Sequence, residues 1–447
     1  MFFNVLMQAS RLDIYDLNYN FSSPKMEHHL FASKTGLPRK GVLLRLVAFL
    51  WHWARSLKDG LVLFCASKSP VLFFAITRNQ ESALSPVAQA VDGRCFVGAE
   101  GYGEVPLPLC FAYGLSCLYL PLVFIRWLTA SGYARRSFDY AFDKYLLTYG
   151  YYVMWRRWLR RLHPRCVVVS NDHIMWTRVL VKAASDAGVP TLYMQHASIV
   201  DYFPPLNFDY ALLDGLDALK KYAACGASAT RVFLVGTPKF DAYFEAINRK
   251  PKVEAVGICT GHWLALEDVE KVCQVLTREF PQVRFVLRPH PGDSRFEDWR
   301  ALAEQGGLAF SDSVHERAFA FLRGVDAVIA SDSNILLEAA LLNVYPIYYD
   351  FASTRLDLYG FLRHGLVDYF ADPQALSTAL AALLVAKPDI RFKAKYYCAT
   401  VGTRYDGRSR ALAASLIEAS GSHSGINLEG WQRVADVALD AYTCADA

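Results

Sequence analysis

From Arg165 onward, short runs of consecutive apolar residues alternate with stretches whose apolar positions recur every three or four residues. The first pattern predicts strands buried on both faces, the second predicts helices, and their alternation predicts mainly parallel sheets. The first series comprises strand Cys166–Val169, helix Trp176–Ala187, strand Thr191–Met194, strand Asp209–Leu213, helix Leu216–Ala224, strand Arg231–Val235 and a helix that starts at Gly236-Thr237-Pro238 and runs through Asp241–Ile247. A short polar stretch with a proline, Asn248–Lys252, reads as a linker. The second series comprises strands Ala255–Cys259, Arg284–Leu287, Ala327–Ala330 and Tyr345–Tyr349, with helices Leu266–Phe280, Phe296–Gln305 and Asn334–Leu342. These series predict an α/β protein with two Rossmann-like halves facing one another across a cleft. Its parts are residues 1–248, residues 253–400 and residues 401–447, the last packing back onto the first. Residues 373–420 read as helices, 421–425 as a flexible break, and Trp431–Ala441 as a final helix.

The N-terminal part is patterned differently. Leu61–Ala66 and Val71–Ile76 read as strands, Val42–Leu57 as a helix, and residues 1–58 carry no recognisable chemistry. Val105–Ile125 is 21 consecutive uncharged residues. A helix of that length would reach about 31 Å, enough for a bilayer core. Pro106, Pro108, Gly114 and Pro121 interrupt it, so a buried or groove-lining hairpin, a membrane-dipping segment and a span all stay open. In Tyr151–Leu162, Tyr151, Tyr152, Trp155, Trp158, Leu159 and Leu162 share one helical face, and Arg156, Arg157, Arg160 and Arg161 take the other. Such a helix suits either an anionic membrane surface or a domain helix with a solvated charged side.

Composition narrows the classes. Hydrophobic residues at 53% and aromatics at 14% exclude a disordered chain, and a net charge of +4 without a basic reader motif argues against nucleic acid. Ten cysteines without a Cys-x-x-Cys pair suggest neither a zinc site nor a disulfide framework. Met1–Asp13 lacks the basic start of a secretory signal, so the expectation is a cytoplasmic protein.

The candidate chemistry sits at strand ends. Arg284–Leu287 stops at Arg288-Pro289-His290-Pro291-Gly292, and Ala327–Ala330 stops at Ser331-Asp332-Ser333-Asn334, where Ser333 is the expected helix cap. Ligands of open α/β sheets collect at the carboxyl ends of strands, and a capped helix start attracts anions. Thr260-Gly261-His262 ends a third strand, with a glycine that permits close backbone approach. Over residues 165–350 this pairing resembles the second half of GT-B glycosyltransferases of bacterial surface polysaccharide synthesis. It is similar to the bacterial sialyl- and polysialyltransferases, the capsule Kdo transferases and the CDP-glycerol glycerophosphotransferases. The resemblance implies a GT-B fold and a cytidine-nucleotide donor whose phosphate is held at His290, Pro291, Ser331 and Ser333. The same site would include Arg288, Gly261, Asn334 and Glu338.

Glycosyl transfer requires a stabilised leaving phosphate and a base for the acceptor hydroxyl. The chain contains no Asp-x-Asp pair, so the expected enzyme uses neither metal nor cofactor, with the nucleotide sugar as its substrate. Its acceptor would be a lipid-linked or core saccharide at the inner face of the cytoplasmic membrane. His196, after strand Thr191–Met194, is the first candidate for the base and is expected to face His290 across the cleft. The glycerophosphotransferases resemble it with a His-Gly, where this chain has Ala197. Asp214 is the rival, since sialyltransferases use an acidic residue near a glycine, though Asp214 with Asp217 also matches a capping pair. Asp201 is a third choice, and His173, Arg178 and Lys239 read as surface or capping residues. Two other readings stay open: a nucleotide-sugar 2-epimerase, which has a similar Val235–Asp241 element, and a non-catalytic scaffold subunit.

Overall fold

The apolar runs form strands as the pattern predicts, each too hydrophobic to tolerate water on either face. The computed structural model describes residues 2–27, 41–59, 68–99, 101–261, 264–422 and 425–445. The expected strand Leu61–Ala66 and His262 lie outside these. One sheet takes β1 (Val71–Ala75), β2 (Arg94–Gly98), β3 (Val105–Pro106), β4 (Cys166–Val169), β5 (Thr191–Met194), β6 (Tyr210–Leu213) and β7 (Arg231–Leu234). A second takes β8 (Ala255–Cys259), β9 (Arg284–Arg288), β10 (Ala309–Phe310), β11 (Ala327–Ala330), β12 (Tyr345–Tyr349) and β13 (Asp368–Phe370). The chain's last strands, β14 (Trp431–Arg433) and β15 (Asp440–Cys444), complete the first sheet, in the order β14-β15-β7-β6-β5-β4-β1-β2-β3. The second sheet runs β10-β9-β8-β11-β12-β13. Every pairing is parallel except β14 with β15.

The chain divides into two units. The first holds Met1–Leu213, Ala218–Val235 and Arg410–Ala445; the second holds Asp214–Asp217 and Gly236–Ser409. Asn248–Lys252 lies within the second unit, beyond the change at Val235 and Gly236.

Two local expectations are corrected. Trp431–Ala441 is a β-hairpin rather than a helix. Val434 N–H donates to the Ala441 carbonyl at 2.8 Å, and Asp436 sits at φ +57° in the turn, a left-handed conformation no helix continues through. The helix expected from Gly236-Thr237-Pro238 to Ile247 is a 3-10 segment, Pro238–Ala246, rather than an α-helix.

In the first unit, α1 (Phe2–Ser10), α2 (Val42–Ser56), α3 (Leu109–Ser116) and α4 (Leu120–Thr129) pack on α5 (Gly132–Leu162), a long helix kinked at Ala141. Tyr151–Leu162 is therefore the end of a core helix. Tyr151, Tyr152, Trp155, Trp158 and Leu159 are buried, and so is Arg156, whereas Arg157, Arg160 and Arg161 are exposed. The uncharged run is broken as its prolines suggest, into β3, α3, a 3-10 turn Cys117–Tyr119 and α4. Leu109–Thr129 is nevertheless long and apolar enough to cross a membrane by length and composition. It lies along α5 so closely that a Cβ on Gly150 would come within 2.0 Å of the Ala112 carbonyl oxygen.

Candidate functional site

In the second unit, register decides which loops meet. Cys259 pairs with Arg288 on one side and with Ala330 on the other. The residues that follow, Thr260–Gly261, Pro289–His290 and Ser331, therefore leave the sheet side by side. Thr260 N–H still donates to the Arg288 carbonyl at 3.0 Å. Its side chain is buried, and its hydroxyl has no hydrogen-bond partner among the described residues. A buried hydroxyl without a partner costs roughly 1–3 kcal/mol, so a polar atom at the carboxyl edge of a parallel sheet marks a place where a ligand can supply the missing bond.

The His290 turn is rigid. His290 Nδ1 accepts the Gly292 N–H at 3.0 Å, and the Asp293 N–H donates to the His290 carbonyl at 2.9 Å. His290, Pro291 and Gly292 are exposed at its tip. Asp293 anchors the turn from beneath, accepting from Arg295 Nη2 at 2.8 Å and from the Trp299 indole at 2.9 Å. Burial works against that carboxylate, but the bonds from Arg295 and Trp299 outweigh it and hold its pKa down at about 2.

Arg288 is turned to other partners. It is buried, with Nη1 on Ser311 Oγ at 2.6 Å, Nη2 on the Glu316 carbonyl at 2.8 Å, and its guanidinium over the Phe321 ring. Beyond β11, α6 (Ile335–Leu341) is capped at Asn334 without a side-chain bond, so Ser333 is not the cap. Ser331 Oγ reaches the Tyr349 carbonyl at 3.4 Å, and Asp332 Oδ2 accepts the Leu358 N–H at 2.6 Å. Asp350, which the sequence did not single out, accepts from Thr354 N, Arg355 N and the Tyr369 hydroxyl. It shapes the loop that follows β12.

Glu338, in the first turn of α6, is paired with Lys239 Nζ at 2.5 Å. Lys239 is thus no surface residue. Desolvation works against its ammonium, but Glu338 more than compensates and raises its pKa. Asp214 joins the cluster through Thr237, whose Oγ1 donates to Asp214 Oδ2 at 3.1 Å. Burial pushes the Asp214 carboxyl up to about 7, against the pull of Lys239 and Thr237. A chain of charged groups therefore links Asp214, in the second unit, to the helix that leaves the Ser331 loop.

In the first unit, His196 follows β5, where the Gln195 N–H donates to the Leu212 carbonyl at 3.0 Å. Next to it in the sheet, β4 ends in Ser170-Asn171-Asp172-His173. Asp172 Oδ1 meets His173 Nδ1 at 2.8 Å, and Oδ2 accepts the Tyr222 hydroxyl at 2.7 Å. His173 is buried, not a surface residue, and the signal that could have found it is the one that found His290: a polar run directly after a buried strand. Arg178 is likewise corrected from a surface residue to an anchor, donating to Asp16 O at 2.7 Å and Asp172 O at 2.8 Å. Asp201 is exposed in a turn.

The sequence matches no protein-family model and no curated protein. Its fold does find likenesses among solved structures. A Listeria monocytogenes protein assigned as a UDP-N-acetylglucosamine 2-epimerase is 13% identical, with TM-score 0.52 over 80% of this chain and 98% of that one. The UDP-GlcNAc 2-epimerase of Neisseria meningitidis, solved with UDP-GlcNAc bound, is 13% identical, with TM-score 0.52 over 77% and 98%. A weaker likeness, 10% identical with TM-score 0.48 over 85% and 96%, is to the wall teichoic acid polymerase TagF. At such identities the likeness is one of fold: the chain is an α/β protein of GT-B fold, built from two Rossmann-like units with mainly parallel sheets.

Proposed function

We propose that this chain is an inverting glycosyltransferase that takes a nucleotide-activated donor of the cytidine class. It would work without a metal ion and extend a capsule, lipopolysaccharide or related surface glycan at the inner membrane face. The observation that carries the reading is the aligned edge of β9, β8 and β11, with the buried Thr260 hydroxyl between the His290 and Ser331 loops. With Nδ1 accepting from Gly292, a neutral His290 keeps its proton on Nε2, the donor a leaving phosphate would meet. Arg288 and Asp293 act by holding the turn. For the base, the Asp214 carboxyl at about 7 is near the value that serves general-base catalysis at neutral pH. His196 is the rival.

The test is a thermal-shift screen with CMP, CDP, UDP and GDP, since a ligand of the native state raises the melting temperature. A cytidine nucleotide is expected to give the largest rise. His290→Ala, Ser331→Ala and Ser333→Ala should each weaken that nucleotide by about 1.5–3 kcal/mol. Unchanged affinity in all three would move the site elsewhere. Asp214→Asn should lower kcat by roughly 10²–10⁴ with donor affinity kept; if His196→Ala does so instead, the base is the histidine.

A second reading, nucleotide-sugar 2-epimerase, is favoured by the likeness to proteins of that name, one of them holding UDP-GlcNAc. Epimerised sugar formed from the donor alone, without any acceptor, would select it.

A further inference from the structure

The end of α5 carries a charge pattern that the donor site leaves unused. Arg156, Arg157, Arg160 and Arg161 line, with Phe2 and Val5 of α1, a recess of about 340 Å³. No carboxylate among the described residues pairs with any of the four, and none lines the recess. Arg157 lies over the Phe111 ring at 5.5 Å and Arg161 over Trp158 at 5.4 Å, which orders the guanidinium groups without neutralising them. Arg156 is 9% exposed, and its one hydrogen bond among the described residues, Nη1 to the Ala183 carbonyl, is long at 3.5 Å. Its Nε has no partner among the described residues. A guanidinium buried without a counter-charge is costly, so this recess is organised for an anion from outside.

The surroundings say which kind. The recess has an apolar wall in Phe2 and Val5, and α1 continues outward with Phe3 at 69% exposure. The other helices laid on α5 also present apolar side chains to the outside: Leu44 of α2 at 60% exposure, and Leu118 and Leu128 of the Leu109–Thr129 stretch at 62% each. Fixed positive charge beside exposed apolar side chains matches a ligand that is anionic at one end and hydrocarbon at the other.

We propose that the recess binds the phosphate headgroup of an acidic phospholipid, and that α1, α2 and Leu109–Thr129 set their apolar outer faces against the same anionic bilayer. Guanidinium forks match phosphate oxygens in pairs, and Phe2 and Phe3 lie where acyl chains begin. The lipid site does not depend on which nucleotide the second unit takes.

The experiment is co-sedimentation of the full chain with vesicles of phosphatidylcholine alone and of phosphatidylcholine mixed with phosphatidylglycerol, without nucleotide. Binding is expected on the anionic vesicles and is expected to weaken with salt. Each arginine near an anionic surface is worth roughly fivefold, so Arg160→Gln with Arg161→Gln should lower the partition coefficient by about 25-fold. Phe2→Ser with Phe3→Ser should lower it too, and both variants should melt as the parent does and keep its nucleotide shift. Three results would each overturn the proposal. One is undiminished binding by the double glutamine variant, and another is equal binding to neutral vesicles. The third is an arginine-dependent thermal shift with inorganic phosphate in a chain that ignores vesicles, which would make this a small-anion site. Failure of the nucleotide screen leaves all of these outcomes readable.

Discussion

Four cations of the second unit each face a carboxylate, whereas the four arginines at the end of α5 face none among the described residues. Lys239 meets Glu338 at 2.5 Å, Arg295 meets Asp293 at 2.8 Å, Arg391 meets Asp406 at 2.6 Å, and Arg288 has Glu316 at 3.4 Å. Arg156, Arg157, Arg160 and Arg161 have aromatic neighbours and one carbonyl between them. A charge already answered within the fold belongs to the scaffold, and a group left unanswered at a cavity or a sheet edge is open to a ligand. The distinction reorders the residues of the proposed donor site: Arg288 and Glu338 become supports, while Thr260 keeps a buried hydroxyl without a partner among the described residues.

The comparison breaks most visibly at Lys239. Lys239→Met leaves Glu338 and the Asp214 carboxyl without their cation, and loss of one member of a largely buried pair should cost about 3 kcal/mol. The urea midpoint at neutral pH measures it, and a loss under about 1 kcal/mol would mean that the pair is solvated and supports nothing. Glu338→Gln in the same background should recover part of the loss, because the orphaned charge goes with it.

The next effect is spread over pH. The folded pKa of Asp214, about 7, lies above the unfolded value of about 3.9. Between the two, the native state holds a proton that the unfolded chain has released. Its contribution to stability is therefore complete below about pH 3.9 and is lost as the pH rises through 7. Asp214→Asn keeps an oxygen for the Thr237 hydroxyl and cannot ionise, so its stability should fall less between pH 5 and pH 8 than the parent's. Identical slopes in chemical denaturation series would place the titration elsewhere.

How far the sequence carried this reading depends on range. Cys166–Val169 and Phe285–Leu287 were legible because strands buried on both faces must be uninterruptedly apolar. The stop at Pro289-His290-Pro291 was legible because proline cannot extend a ladder. The alignment of Thr260 with His290 and Ser331 was not, since it follows from β8 lying between β9 and β11, and strand order leaves no local trace. Lys239 and Glu338 are 99 positions apart, so nothing local pairs a residue that reads as surface or capping with one that reads as part of the donor site. Trp431–Ala441 has helix-like spacing at Trp431, Val434 and Ala438, but parallel pairing of Asp440–Tyr442 with Arg231–Phe233 overrides it.

A smaller change sharpens the contrast within the sheet edge itself. Thr260→Val replaces an unanswered hydroxyl by a methyl group of similar shape, and removing that desolvation penalty should stabilise the chain by about 1 kcal/mol. Nucleotide affinity should fall at the same time. Destabilisation with unaltered affinity would show that the hydroxyl serves the fold.

The smallest effect is the most discriminating at α5. Arg160 and Arg161 are exposed and have no carboxylate among the described residues, so their charges hold nothing together in the folded chain. Arg160→Gln with Arg161→Gln should therefore change the unfolding free energy by no more than about 0.5 kcal/mol. Relief of repulsion between neighbouring guanidinium groups could make the change slightly stabilising, most clearly at low salt, where screening is weakest. That sign matters, because residues kept for packing lose stability when truncated, whereas residues kept for an external anion gain a little until the anion is present. A loss well above 0.5 kcal/mol at low salt would assign these arginines to the scaffold, beside Lys239 and Arg295, and would remove the contrast from which the comparison starts.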